Sequence, residues 1–388
     1  MICAELWLRA LEPIPSDHLL PLDYDRGRLR RIATGATYLT YDRELGWANN
    51  PGAVRAGSGQ NGARIEYRHD RAGLRADREQ PLDPPPGTRR IAAFGDSFTY
   101  CQDVHLEDCW TTRLESLWPQ TQVLNFGVAG YGPDQAWLSY QRYPDYRPCG
   151  VLIGYMTENV HRVVNRFRPF LQPKTGISLS KPRFLLQNGE LVLLPNPVDD
   201  PRLLDDPAWV ERNLGPWDHW YFPGTFVRNP LDFLHVVRAT RSAAFRLHYQ
   251  LSGGEDLDRS SMRQGALYHP QSEAFQIAGR ILTGFAREVE RRGMTPVVVI
   301  MSPRDQIASM MDGRPAVHEP LLRWLESASV HTVDTTPTLV DSARLHGIDA
   351  IALAHYTPRG NTVVAQTLSE ALPPLLASTC QHAGASPR

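Results

Sequence analysis

The stretch Arg89–Gln102, RRIAAFGDSFTYCQ, constrains the fold more than any other part of this chain. The apolar run 91–94 has β-propensity and ends abruptly at Gly95, Asp96 and Ser97, after which a helical pattern begins. This order predicts a buried strand, a sharp turn that carries a serine, and then a helix. The turn at the carboxyl end of a parallel strand is where open α/β sheets place their chemistry. Its free backbone N–H groups also favour a developing anion.

From residue 89 onward, the patterns predict strands that alternate with helices. Apolar runs predict strands at 91–94, 122–126, 150–155 and 295–301, with a weaker one near 329–333. Helical patterns fall at about 106–117, 133–142, 274–292, 317–326 and 361–372. This rhythm is typical of a parallel sheet covered on both faces, so we expect a three-layer α/β/α fold. The rhythm alone does not give the strand order.

Two regions depart from this rhythm. Residues 1–88 are predicted to form an N-terminal extension, with a short helix up to Leu11 and β character at 37–41 and 63–67, which closes in a proline-rich connector at 81–87. Residues 89–388 are predicted to form one α/β/α domain with an insertion at about 165–270. Within the insertion we expect a hairpin that turns at Asn188-Gly189 and a helix at about 230–250. Long insertions on such scaffolds often shape a binding pocket.

Composition excludes several classes of function. Lys plus Arg (41) nearly balance Asp plus Glu (42), so no global charge favours nucleic acid or an anionic membrane surface. No apolar stretch is long enough to span a bilayer, and the N-terminus does not read as a signal peptide. The five cysteines match no zinc or redox spacing, which favours reduced thiols. We therefore expect a cytoplasmic protein without cofactor or metal, and the sequence leaves open a removed N-terminal anchor or export signal.

Four separated blocks resemble the motifs of the SGNH/GDSL hydrolase family, and they occur in the family's order. They are GDSFT at 95–99, NFGVAG at 125–130, TEN at 157–159 and HYTPRGN at 355–361. Ordered blocks are more specific than any one of them. Two positions depart from the family pattern. Thr157 stands where a glycine is usual, and Leu353 and Ala352 stand where an aspartate usually precedes the histidine. The resemblance implies a flavodoxin-like strand order.

The resemblance also implies which residues carry out the reaction. Ser97 is the expected nucleophile, and His355 is the expected base on a loop that leads into the last helix. Thr357 and Pro358 read as the N-cap and the first residue of that helix. For the oxyanion hole we expect the backbone N–H groups of Ser97 and Gly130 and the side-chain amide of Asn159, with Gly127 as the rival glycine. Taken singly, these residues are equally compatible with helix caps and turns.

The carboxylate that would orient the histidine is missing from its usual place. Asp349 is our candidate, although it serves only if the loop before His355 doubles back. Asp334 and Asp341 are more distant options. Two further alternatives stay open, namely a Ser–His dyad with a backbone carbonyl as acceptor, and a site that has lost turnover.

Four further residues are candidates for substrate binding. Arg162 and Arg166 share one face if their segment is helical, and they suit a carboxylate or a phosphate. Trp217 and Trp220 in the insertion suit a sugar ring or an acyl chain. A solvated basic face and ordinary packing are the competing interpretations.

Taken together, the sequence predicts a serine hydrolase that cleaves a carboxylic ester through an acyl-enzyme on Ser97. The resemblance implies a small-molecule or saccharide ester, such as an O-acyl group on a sugar or a small metabolite. Three alternatives remain, namely an acyltransferase with the same Ser/His site, a thioesterase or amidase, and a non-catalytic binding protein of the same fold. The sequence does not define the oligomeric state.

Overall fold

The computed structural model describes residues 2–10, 19–62, 64–143, 145–251 and 262–380. Leu11, the predicted end of the first helix, and Ala63, the predicted start of a strand, lie outside these ranges. No helix within them combines the length and the apolar character needed to cross a membrane.

Within its described residues, the N-terminal extension contains two α-helices and two antiparallel hairpins. In chain order these elements are α1 (Ile2–Ala10), α2 (Arg26–Ala33), β1 (Leu39–Asp42), β2 (Gly46–Asn49), β3 (Val54–Ser58) and β4 (Arg64–Arg68). The first hairpin pairs β1 with β2 and the second pairs β3 with β4. Strands β1 and β4 overlap the two runs with predicted β character.

The first half of the core alternates strands and helices, as predicted. It comprises β5 (Arg89–Gly95), α3 (Ser97–Tyr100), α4 (Trp110–Leu117), β6 (Thr121–Gly127), α5 (Pro133–Arg142) and β7 (Gly150–Met156). The region up to the next core helix then contains α6 (Asn159–Arg162), α7 (Arg168–Leu171), β8 (Arg183–Gln187), β9 (Glu190–Leu194), α8 (Pro207–Leu214), α9 (His235–Leu251), β10 (Arg263–Gln264) and β11 (Leu267–Tyr268). The predicted hairpin at Asn188-Gly189 joins β8 to β9.

The second half of the core returns to the alternating pattern. It comprises α10 (Glu273–Arg291), β12 (Thr295–Met301), α11 (Arg304–Met311), α12 (Glu319–Ser327), β13 (Thr332–Asp334), α13 (Thr336–His346) and α14 (Pro358–Cys380). Helices α11 and α13 were not predicted from the sequence. Each has only three large apolar side chains, namely Ile307, Met310 and Met311 in α11 and Leu339, Val340 and Leu345 in α13, so the apolar pattern is weak.

The core strands form one five-stranded parallel sheet in the order β6-β5-β7-β12-β13. Numbered by their succession in the core, the strands lie in the order 2-1-3-4-5, which is the flavodoxin-like order. Every residue of β7 and of β12 is buried, as expected for strands covered on both faces. Side chains of β5 alternate between two apolar clusters, with Ala92 and Phe94 in one and Ile91 and Ala93 in the other. The three-layer α/β/α prediction is confirmed.

One disulfide joins the start of the central strand β7 to the end of the last helix. It links Cys149 to Cys380 with a Cα–Cα distance of 5.0 Å, whereas Cys3, Cys101 and Cys109 are free thiols. The expectation of reduced cysteines is therefore wrong for this pair. Its two members are 231 residues apart, so cysteine spacing gives no sign of the link until the fold brings these two ends together.

Candidate active site

The predicted serine turn forms where β5 ends. Ser97 is the first residue of α3, and the Asp96 side chain caps this helix by accepting a hydrogen bond from the N–H of Phe98 at 2.9 Å. Gly95 is required by close packing, since a Cβ there would lie 2.1 Å from Oγ1 of Thr99 and 2.9 Å from the carbonyl oxygen of Gly154. The turn therefore fixes the serine at the carboxyl edge of the sheet.

His355 reaches this serine from the far end of the chain. Its Nε2 lies 2.9 Å from Oγ of Ser97, within hydrogen-bond distance, although the two residues are 258 positions apart. Thr357 accepts a hydrogen bond from the N–H of Gly360 at 3.2 Å, and α14 begins at Pro358, as predicted. The imidazole also packs on the Phe98 ring at a centroid distance of 5.2 Å.

The carboxylate on the other side of the histidine belongs to Asp103, and the structure corrects the prediction of Asp349. Nδ1 of His355 lies 2.7 Å from Oδ2 of Asp103. Asp349 instead pairs with Arg304, and its side chain is 72% exposed. The reason is geometric, because Asp349 lies in a 3₁₀ turn that faces α11, so the loop to the histidine does not double back. The arrangement is thus a serine–histidine–aspartate chain.

Asp103 lies in the loop formed by residues 101–104, here called the aspartate loop, which follows α3. Asp103 itself has a positive φ of 70°, a conformation that asparagine and aspartate tolerate better than most residues. Arg75 of the extension is buried under this loop and donates to the carbonyl oxygens of Tyr100, Cys101 and Val104. A buried guanidinium that satisfies three carbonyls leaves the loop little freedom to move.

The second hairpin of the extension also contacts Asp103 and His355. The N–H of Asp103 donates to the Tyr67 hydroxyl at 3.1 Å, and Nε2 of Gln60 donates to the carbonyl of His355 at 2.8 Å. Gly59 allows this approach, because a Cβ there would lie 2.9 Å from the carbonyl oxygen of Asp103. The extension thus orients the histidine and the aspartate directly.

The first hairpin of the extension supports the turn after β6, where Gly130 lies. Nε1 of Trp47 donates to the carbonyl of Ala129 at 2.8 Å, and the Tyr131 hydroxyl donates to the carbonyl of Trp47 at 2.6 Å. Nδ2 of Asn49 donates to the carbonyl of Gly127 at 2.9 Å. The N–H of Gly130 itself has no backbone acceptor within the described ranges.

The predicted oxyanion donors gather around the serine turn. Gly130 has a φ of 79°, which suits glycine, and lines the same cavity as Ser97. Asn159 is buried directly after β7, and its Nδ2 donates to Oδ2 of Asp96 at 3.1 Å, which leaves a second N–H on that nitrogen. Gly127 is not part of this arrangement, because its Cα packs against the backbone of α3.

Ser97 and His355 open into a cavity of about 550 Å³, here called the serine pocket. Its walls come from α2, from the turn after β6, from the α6–α7 region and from the start of α11. The lining residues used below are Arg28, Tyr38, Ser97, Gly130, Glu158, Arg162, Arg168, Lys174, Gly176, Arg304, Asp305 and His355. The pocket is thus built by the extension and the insertion on a serine edge that the core provides.

Of the four residues predicted to bind substrate, only Arg162 lines the serine pocket. Its Nη1 donates to the carbonyl of Tyr131 at 2.7 Å and lies 3.4 Å from Oδ2 of Asp96. Arg166 turns away and donates to the carbonyl of Pro195, because its segment leaves the helical path after α6. Trp220 is buried and donates to the carbonyl of His161, whereas Trp217 is 48% exposed outside the pocket. The predictions for Arg166, Trp217 and Trp220 are therefore corrected.

Sequence reasoning missed Asp103 and, as a pocket residue, Arg168. The signal for Asp103 was weak, since an aspartate six residues after a serine on a turn has many structural uses. Arg168 is one of several arginines that follow the third block, and nothing in its local sequence sets it apart. Neither position is distinguished until the extension and the insertion fold onto the core.

Within the described ranges, no three His, Cys, Asp or Glu side chains cluster in a way that would hold a metal ion. The chemistry available at the serine edge is that of a hydroxyl, an imidazole and a carboxylate in hydrogen-bond contact.

Comparison with known proteins gives likeness at the level of solved structures alone. No protein-family model matches the chain, and no curated protein matches its sequence. A lipolytic G-D-S-L family protein from Veillonella parvula is 12% identical, over 74% of this chain and 100% of its own, with a TM-score of 0.36.

Two further solved structures are similar to a comparable degree. An acetylxylan esterase from Geobacillus stearothermophilus is 11% identical over 74% of this chain and 96% of its own, with a TM-score of 0.36. A lipase/acylhydrolase from Enterococcus faecalis is 10% identical over the same shares, with a TM-score of 0.34. Superpositions of this quality are too distant to transfer any residue's role, so the assignments below depend on this chain's own geometry.

Proposed function

We propose that the protein is a serine hydrolase that cleaves a carboxylic ester through an acyl-enzyme on Ser97. The observation that carries the proposal is the unbroken chain from Oγ of Ser97 through the His355 imidazole to the Asp103 carboxylate, with contacts of 2.9 and 2.7 Å. A serine hydroxyl is a weak nucleophile until a base within hydrogen-bond reach accepts its proton.

In the first half of the reaction, Oγ of Ser97 attacks the ester carbonyl while Nε2 of His355 takes the hydroxyl proton. Negative charge moves to the carbonyl oxygen, where the N–H groups of Ser97 and Gly130 and the Asn159 amide are the proposed donors. Asp103 stabilises the imidazolium and fixes its tautomer. His355 then gives the proton to the departing alkoxide, and the C–O bond breaks.

In the second half, water attacks the acyl group and His355 removes its proton. The new tetrahedral intermediate collapses, Ser97 leaves with the proton from the imidazolium, and the carboxylic acid is released. An alcohol in place of water would give acyl transfer by the same steps. Analysis of products with and without an added alcohol separates the two outcomes.

Asp103 bears directly on the idea of a non-catalytic binding protein. That alternative gained its weight from the aspartate missing before His355. A carboxylate from another part of the chain lies 2.7 Å from Nδ1, which supports a catalytic site over a binding protein.

The proposal is tested by intact-mass labelling with a small, neutral fluorophosphonate, which reacts only with an activated serine. We expect one adduct on the folded wild type, none on Ser97→Ala, and labelling slowed at least a hundredfold in His355→Ala. Ser116→Ala, at an exposed serine of α4, is the matched control and should label like the wild type. An unlabelled wild type, or an adduct that persists in Ser97→Ala, would refute the mechanism.

A further inference from the structure

The serine pocket has more positive than negative side chains in its lining. Its cations are Arg28, Arg162, Arg168, Lys174 and Arg304, and its carboxylates are Glu158 and Asp305. The cations come from separate parts of the chain, namely α2, the α6–α7 region and α11. A cleft with an excess of one charge attracts ligands of the opposite charge.

Some of these cations already have a carboxylate partner. Arg162 lies 3.4 Å from Asp96, and Arg304 pairs with Asp349. These two arginines are therefore at least partly neutralised, and they do not by themselves demand an anionic ligand. Arg168 and Arg28 differ from them.

Arg168 is 4% exposed, and its Nε and Nη1 are buried without a hydrogen-bond partner among the described residues. Burial, together with the nearby charge of Arg162, lowers the pKa of this guanidinium to about 9, so it remains charged at neutral pH. Glu158, Asp218 and Asp96 favour the charged form from farther away, but none of them bonds to these nitrogens. A buried guanidinium with two unsatisfied donors is costly unless a ligand completes it.

Arg28 gives a second incomplete donor on the same pocket. Its Nε is also buried without a partner, and its guanidinium packs over the backbone of Gly176, where a Cβ would lie 3.0 Å from Cζ. The Arg28 side chain also hydrogen-bonds to the hydroxyl of Tyr38, so its guanidinium is only partly satisfied. Arg28 belongs to the extension and Arg168 to α7, so two independent elements bring an incompletely bonded guanidinium to one cavity.

We propose that the serine pocket recognises esters that carry an oxyanion group, a carboxylate or a phosphate, and that Arg168 binds this group with Arg28 as the second donor. The inference rests on the proposed function and narrows its substrate class. Guanidinium groups match carboxylate and phosphate geometry through paired N–H donors, and Arg168 lines the pocket with a guanidinium whose Nε and Nη1 have no hydrogen-bond partner among the described residues.

The test uses pairs of esters in which one member has a free carboxylate and the other has that carboxylate masked as a methyl ester, and cleavage is followed by release of the phenol. 3-Acetoxybenzoate and its methyl ester place the charge on the alcohol side, and 4-nitrophenyl hemisuccinate and its methyl ester place it on the acyl side. We expect kcat/KM to favour the anionic member of at least one pair by about tenfold or more. Arg168→Gln and Arg28→Gln should each reduce that preference about tenfold while the neutral ester changes little.

Arg166→Gln is the matched control, since it removes another buried arginine near the pocket whose guanidinium turns away to Pro195. It should keep the full preference. Arg168→Lys keeps the charge but loses the paired donors, so an intermediate preference is expected. If Arg168→Gln does not fold, Arg28→Gln and Arg168→Lys decide the question.

The two proposals fail in different ways. If the wild type labels at Ser97 and hydrolyses the neutral and anionic members of both pairs equally, the anion site is refuted and the serine hydrolase stands. If nothing labels or turns over, the hydrolase is refuted, and thermal stabilisation by inorganic phosphate is measured instead. Stabilisation that Arg168→Lys weakens and Arg166→Gln preserves supports the anion site, and its absence in the wild type refutes it.

Discussion

The reacting groups of the serine pocket and two of its arginines differ in how completely they are hydrogen-bonded. On the serine side, Ser97, His355 and Asp103 form a continuous hydrogen-bonded chain. By contrast, Arg168 and Arg28 have buried nitrogens without partners. Groups that react must be oriented before the substrate arrives, whereas groups that bind can be completed by the substrate itself. The contrast therefore separates the residues proposed for chemistry from those proposed for recognition.

The extension contributes to both sets of residues in different ways. Its second hairpin and Arg75 hold the aspartate loop and the carbonyl of His355 through direct hydrogen bonds. Its helix α2 contributes only Arg28 to the pocket wall, with a buried Nε that has no partner. One segment thus restrains the proposed catalytic groups and leaves a binding group incomplete.

The largest effect on the serine side is expected from Asp103→Asn. An amide leaves the imidazolium without its counter-charge and favours the wrong tautomer, so kcat/KM for a neutral ester should fall by about 10²–10⁴-fold. Asp349→Asn is the paired control and should stay within about twofold, because that carboxylate is exposed and bonds to Arg304. Steady-state kinetics on both variants measures the difference, and equal losses would contradict the assignment of Asp103.

This pair of aspartates also shows how far the sequence could lead. The alternation of strands and helices after residue 89 predicted the sheet and its layers, because buried parallel strands leave continuous apolar runs such as Thr295–Met301. Ser97 and His355 were predicted because each lies in one of the short blocks that resemble a known family's motifs. Those parts of the fold and the site are encoded over a few neighbouring residues.

Asp103 and Arg168 could not be identified in this way, because their environments arise from contacts between distant segments. Asp103 meets His355 across 252 residues, and Arg75 and Tyr67 of the extension hold its loop. Trp220 looked like a ligand-binding aromatic and is instead a packed side chain bonded to His161. The chemistry of a single residue in the insertion does not predict whether its side chain faces the pocket or packs in the interior.

A second test of the serine side is Asn159→Ala, which removes the proposed side-chain donor to the oxyanion. We expect kcat to fall by about 10²–10³-fold with KM little changed, because the interaction is made mainly in the transition state. Asn165→Ala is the matched control, since that buried amide bonds to Asp218 and Phe167, whereas the Asn159 amide bonds to Asp96 of the serine turn. A loss confined to KM would show that Asn159 binds the ground state instead.

His69, near the serine side, should also make the stability of the fold depend on pH. Its Nδ1 lies 3.0 Å from the carbonyl of Asn50 and its Nε2 lies 2.8 Å from the hydroxyl of Tyr100, the last residue of α3. Burial lowers the pKa of His69 from 6.5 to about 4, with a smaller contribution in the same direction from the charge of Arg75.

Because the folded state binds this proton less readily than the unfolded state, His69 stabilises the fold above pH 6.5. That contribution, as much as ~3 kcal/mol, is lost as the pH falls from about 6.5 towards 4. Urea unfolding at pH 7 and pH 4.5 should therefore show a smaller loss of stability in His69→Gln than in the wild type. An identical pH dependence in the two proteins would exclude His69 as the acid-sensitive group.

The smallest effect expected on this side comes from Tyr67→Phe, which removes the oxygen that accepts the Asp103 N–H at 3.1 Å. The aspartate keeps its charge and Arg75 still holds its loop, so kcat/KM should fall only by about three- to tenfold. Tyr41→Phe, which removes a hydroxyl that bonds to Val198 outside the pocket lining, should have no effect on activity. A positioning role for Tyr67 also predicts that the loss falls on kcat with KM little changed, because a looser Asp103 stabilises the transition state less. A loss of thermal stability without that fall in kcat would mean that the extension only covers the aspartate loop and does not orient it.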